Sequence, residues 1–139
     1  MKNLLLLFLI FFVSACATNT PQHNGELRVE SHQKKSYNEF EGVWEGDGVQ
    51  ENTSSWTIKV SILDNNYSID YPSLRCGGEL ILISEGSGRM EFREQLTYGK
   101  TKCIDNGRTA LIIVGRDSVR FEWYYPNGKM GATGTLNRN

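Results

Sequence analysis

Two residue types in this chain could do chemistry: one carboxylate on the apolar side of its strand, and three cysteines. Glu94 falls in phase with Met90, Phe92, Leu96 and Tyr98 along an alternating run, so a period of two turns its carboxyl toward the apolar face. A carboxylate placed there needs a partner or a raised pKa, and either marks it as a candidate binding or acid–base group. Arg75, a tyrosine hydroxyl or backbone donors are the groups that could hold it, and Glu94, Arg75, Tyr71 and Tyr98 form the candidate binding set. Cys16, Cys76 and Cys103 could form a bridge or hold a metal. The metal option lacks ligands: there is no Cys-x-x-Cys, and both histidines, His23 and His32, lie in a polar stretch near the amino terminus.

Enzyme templates fit poorly. The chain has no Gly-x-Ser-x-Gly, no phosphate-cradling loop, and no histidine beyond His32 to serve as a base. Catalysis by Glu94 with Asp70 is opposed by the outward phase of Asp70. Glu45, Asp47 and Glu51, with Asp105 and Asn106, match no oxygen-ligand loop for calcium, and alternation places Glu45 and Asp47 on a solvent face. The expectation is therefore no enzyme, no metal and no cofactor.

The fate of the cysteines depends on the first sixteen residues. Met1-Lys2-Asn3 is a short basic start, residues 4–13 are an unbroken apolar run, and Ser14-Ala15 are small residues before Cys16. That is the layout of a secretory signal peptide, and the apolar run is about half the length of a membrane span of about 20 residues. Val13-Ser14-Ala15-Cys16 resembles the lipobox of bacterial lipoproteins. The resemblance implies cleavage before Cys16, a diacylglycerol on its sulfur and an acyl chain on its new amino group, so that the membrane itself is a partner. Ala17 follows the cysteine where inner-membrane lipoproteins of the enteric type carry Asp, which implies an outer-membrane location. With Cys16 assigned to lipid in an exported chain, Cys76 and Cys103 are left to form a disulfide.

Residues 1–15 are thus read as signal peptide, 16–41 as anchor and polar tether, and 42–139 as one folded domain. A flexible tether of that length reaches roughly 25 to 30 Å. The formal charge of −1 offers nothing to nucleic acid. Fourteen glycines and 11% aromatics, with no long helix-forming stretch after the signal, favour short strands and turns.

The strands that must position Glu94 can be read one after another. Trp56, Ile58, Val60 and Ile62 alternate with polar residues, Asp64-Asn65-Asn66 breaks the run, and Tyr67, Ile69 and Tyr71 resume it. Residues 79–84, 90–98, 108–114, 119–125 and 130–137 come next as strands, with Gly77-Gly78 giving the chain freedom to reverse. With 42–49 counted first, eight strands joined by short loops predict an all-β, eight-stranded antiparallel up-and-down barrel. In such a meander the loops after the third and fifth strands emerge at one end, which allows a Cys76–Cys103 bridge.

Gly42-Val43-Trp44 is similar to the Gly-x-Trp opening of lipocalin-like barrels, where the Trp plugs one end. Tyr71 to Gly78, Phe92-x-Glu94-x-Leu96-x-Tyr98-Gly99, Cys103 and Asp105-x-Gly107 resemble a small exported two-cysteine β domain. That domain occurs in bacterial envelope lipoproteins and on the outer ends of some actinobacterial receptor-type Ser/Thr kinases. The resemblance spans 42–138 and implies a stable extracytoplasmic module. Trp44, Trp56 and Trp123 are read as core first and as a ligand-stacking set second. A short barrel full of aromatics leaves little interior space, so recognition is expected at a barrel mouth, in loops or at a strand edge. The expected function is a membrane-anchored module that binds a protein or glycan of the envelope or the extracellular space; the alternative is a structural or assembly lipoprotein without a pocket.

Overall fold

A computed structural model describes residues 38–50 and 55–139. Residues 1–37, where the expected signal peptide, the expected lipidation of Cys16 and most of the expected tether fall, lie outside the described residues, as do residues 51–54. The regular structure of the described residues is all β. Eight strands, β1 Gly42–Val49, β2 Trp56–Leu63, β3 Asn66–Tyr71, β4 Cys76–Gly86, β5 Arg89–Tyr98, β6 Arg108–Gly115, β7 Ser118–Tyr124 and β8 Met130–Arg138, close into an antiparallel barrel. Each strand pairs with its neighbour in sequence, and β1 pairs with β8 to close the sheet. The expected up-and-down barrel is therefore the observed one, because short connections leave adjacent strands no other partner.

The hairpin chemistry is local. Asp64 and Asn65 both take left-handed conformations (φ 47° and 62°), the geometry of a two-residue turn whose twist matches the strands it joins. Inside the barrel, Ile58, Val60 and Ile62 of β2 are buried while Thr57, Lys59 and Ser61 turn outward, as a period of two requires. Ile69, Leu80, Phe92, Leu111, Phe121 and Leu136 complete the core from the other strands.

One pole of the barrel is sealed. Phe40 is only 4% exposed and its carbonyl accepts a hydrogen bond from the Trp44 indole Nε1 at 2.8 Å. The Arg138 guanidinium lies 4.1 Å from the centre of the Trp44 ring and donates to the carbonyls of Glu39 and Glu41. Trp44 is wholly buried there. Residues 38–41, which the sequence reading places in the tether, form a turn in which the Glu41 amide donates to the Asn38 carbonyl at 2.9 Å.

Two details depart from the sequence reading. Cys76, Gly77 and Gly78 belong to β4, and the reversal is made by residues 72–75, where Arg75 takes φ 56°. The two glycines serve close approach: a Cβ at Gly78 would sit 2.1 Å from the Gln95 carbonyl oxygen, and one at Gly77 would sit 2.6 Å from that of Ile69. The second departure is a bulge. Gly77 pairs with Tyr98 but Gly78 with Leu96, so β5 carries an extra residue at Thr97 and its inward–outward phase reverses. Tyr98 consequently points out, 45% exposed, and its hydroxyl donates to Asp70 at 2.8 Å.

Candidate functional site

The pole opposite Phe40 and Trp44 is open. It gathers the ends of β1, β3, β5 and β7 and the starts of β2, β4, β6 and β8. The disulfide between Cys76 and Cys103, with Cα atoms 6.3 Å apart, ties the start of β4 to the β5–β6 loop at this end. A cavity of about 280 Å³ enters the barrel here. Trp56, Tyr71, Trp123 and Tyr125 supply its aromatic surface, Leu74, Lys102, Cys103 and Ile104 line it from the loops, and Glu94 lies at its buried end.

Glu94 reaches this position because it precedes the bulge, in phase with buried Met90 and Phe92. It is 1% exposed. The Tyr71 hydroxyl donates to its Oε1 at 2.7 Å, and the buried Thr109 hydroxyl donates to the same oxygen. Burial pushes the Glu94 carboxyl above the usual carboxylate range; hydrogen bonds from Thr109, Tyr71 and Trp123 pull it back in part, and the charge of Asp105 adds to the rise. Tyr71 is pushed well up by its own burial and by the carboxylate beside it, so it stays a hydroxyl donor.

The aromatic walls are set by glycines. A Cβ at Gly107 would fall 2.6 Å from the Trp123 indole nitrogen, and one at Gly131 would fall 2.6 Å from the far side of its ring system. Bare backbone at these two positions lets the indole sit where it does. Gly48 does the same for Trp56, whose ring would lie 3.1 Å from an added Cβ. Tyr125 meets Trp123 edge-on, with ring centres 4.8 Å apart, and Gln50 Nε2 donates to the Tyr125 hydroxyl at 2.6 Å. Trp56 and Trp123, read as core, are half-buried in the cavity wall, whereas Trp44 is core.

Of the four binding residues named from the sequence, the fold brings Glu94 and Tyr71 into contact. Arg75 is exposed on the turn before β4, and Tyr98 lies outside the barrel on Asp70; neither is among the groups that hold Glu94. Thr109 was missed, although it is the second residue of a strand whose neighbours Ala110 and Leu111 are apolar. Its inward phase was the available signal.

A second acidic residue also escaped notice. Glu122, 8% exposed, lies on the outer wall of β7 and accepts hydrogen bonds from Tyr124 (2.8 Å), Arg120 (3.1 Å) and Arg89 (3.2 Å). Burial raises its carboxyl, but Tyr124, Arg89 and the arginine charges outweigh that and hold it below its ordinary value. This is a brace between β5 and β7. Among the described residues no group of three or more His, Cys, Asp or Glu is arranged to hold a metal ion. Compared with protein-family models, curated proteins and solved structures, the chain matches none, so its function must be read from the chemistry of the site itself.

Proposed function

We propose that this chain is a lipid-anchored binding module of the bacterial outer membrane, held by acyl groups on Cys16 and receiving a ligand-sized group from the envelope or the extracellular space at the open pole. The observation that carries this reading is the aromatic cavity ending on the buried Glu94 carboxyl, a concave and mostly apolar site with few oriented polar groups. Its position adds support. The first strand, β1, starts at the sealed pole, so the cavity mouth opens at the pole away from the amino-terminal end of the barrel. Binding is favoured over catalysis because Glu94 is the one carboxylate among the described lining residues, with no histidine or second acid to share a proton. The cavity also weighs against a structural or assembly role that needs no pocket.

Two measurements test the reading. Replacing Cys16→Ser in the full chain should release the protein from sedimented membranes, and continued sedimentation would contradict the lipid anchor. A set of anionic, neutral and cationic ring compounds, followed by NMR on the domain, should perturb the Trp56 and Trp123 indole signals. Perturbations confined to other faces would contradict the site.

A further inference from the structure

At the sealed pole, β4 outruns its neighbour β3. Their pairing ends where Ser68 meets Glu79, and β3 begins at Asn66, whereas β4 continues to Gly86 against β5. Carried on, the register would bring Asn66 beside Ile81, so residues 82–86 extend past the β2–β3 turn. Among the described residues no strand pairs with them on that side. A Cβ built on Gly86 would meet nothing within 4 Å.

This edge is apolar in its middle and acidic at both ends. Ile81, Leu82 and Ile83 follow one another and are all exposed, Ile83 by 52%. A bulge at Ile83, where Leu82 pairs with Phe92 and Ser84 with Glu91, twists the edge but adds no lysine or proline to guard it. Glu79 and Asp64 lie at the end near the start of β3. At the other end a cleft of about 220 Å³ lies between Asn38 to Phe40 and Glu85 to Gly88, so Glu39 and Glu85 both line it. None of these four carboxylates is in an ion pair with a described residue.

The bases nearby do not neutralise them. Arg89 is paired with Glu91 and Glu122, and Arg138 with Asp117. Arg93, opposite Ile81, stands on β5 behind the edge, and Arg116 belongs to the β6–β7 turn, two strands further round. A second copy paired antiparallel through the same edge would bring Glu85 of each chain to the Glu79 and Asp64 end of the other, setting like charges together.

We propose that residues 81–86 of β4 dock an extended segment of a partner protein, apolar at alternate positions and carrying Lys or Arg at both ends. Main-chain hydrogen bonds to the open edge hold the segment, its apolar side chains cover Ile81, Leu82 and Ile83, and its basic ends meet the four acids. This edge is at the opposite pole from the aromatic cavity, so the two sites can be tested apart.

Three peptides test the docking edge, each titrated into the chain from residue 17 onward and followed by NMR of the backbone amides: Lys-Val-Thr-Val-Thr-Val-Lys, the same peptide with Glu at both ends, and the lysine form with Pro as its central residue. The lysine peptide should slow amide exchange within residues 82–86. It should bind at least about threefold tighter than the glutamate peptide at low salt, with the difference shrinking as salt is added. The proline peptide should not bind, because it lacks a donor in mid-strand. Glu85→Lys, an exposed substitution, should narrow or reverse the preference between the first two peptides, and Ile83→Lys, also exposed, should weaken both.

Equal binding of the lysine and glutamate peptides would overturn the basic partner. Unchanged exchange at residues 82–86 with the lysine peptide would overturn the docking edge. Protection of those amides in the free protein would overturn it too: protection lost on dilution would identify a second copy as the occupant, and protection independent of concentration would identify the chain's own residues 17–37.

Discussion

Removing the disulfide is the perturbation whose size can be worked out most directly. Cys76 and Cys103 are 27 positions apart, and the segment between them contains β4 and β5, the strands that carry Glu94 and the bulge. In the chain-entropy model, freeing a loop of that length in the unfolded state costs the native state about 3.6 kcal/mol at 25 °C. For a domain of this size that corresponds to a fall in Tm of about 15 to 25 °C. Replacing both residues, Cys76→Ala with Cys103→Ala, avoids leaving a lone thiol against the core, where Cys76 is fully buried. Thermal and urea unfolding followed by far-ultraviolet circular dichroism would measure the loss, with and without dithiothreitol. Parent protein in reductant should approach the double variant, and reductant should not affect the variant. A double variant within about 1 kcal/mol of the parent in oxidising buffer would refute the reasoning, because it would mean the bridge constrains an ensemble already as compact as the cross-link makes it.

Three other perturbations have outcomes set by the same structure. Glu94 has its folded pKa raised above the unfolded value of about 4.3, so the native state holds its proton longer than the unfolded chain and stability declines as pH rises through that window. Glu94→Gln, which keeps an acceptor for Tyr71 and Thr109, should match the parent near pH 4 and exceed it at pH 7 in urea midpoint; a difference that does not change with pH would rule this out. Phe40→Ala should cost about 3 kcal/mol or more, since the ring seals the pole beside Trp44. A chain begun at Gly42 should lose more, because the Trp44 indole N–H is then deprived of its acceptor at 2.8 Å. Unchanged denaturant midpoints in both would show that residues 38–41 do not belong to the fold. Gly107→Ala places a methyl group 2.6 Å from the Trp123 nitrogen, so it should shift tryptophan emission and cost about 1 to 3 kcal/mol, with emission like the parent's as the contrary result.

Much of this architecture is encoded locally. Alternation in Ile58, Val60 and Ile62, the left-handed pair Asp64-Asn65, and connections too short for crossovers specify eight neighbouring strands before any tertiary contact is known. The same alternation turns Glu94 inward, and the parity of strands puts Cys76 and Cys103 at one pole. Three-dimensional packing decided the rest. The bulge at Thr97 is set by how β4 and β5 fit together, and it alone sends Tyr98 out to Asp70 while Leu96 stays in the core. Thr109 meets Glu94 across a strand pair from fifteen positions further along the chain, and Arg75 is held in solvent by a turn, away from Glu94. The cavity itself arises where glycines 48, 107 and 131 leave space for indoles from other strands. A sequence records which side of a strand a residue occupies; only the closed barrel determines what stands across from it, because that distance depends on register and sheet curvature rather than on neighbours along the chain.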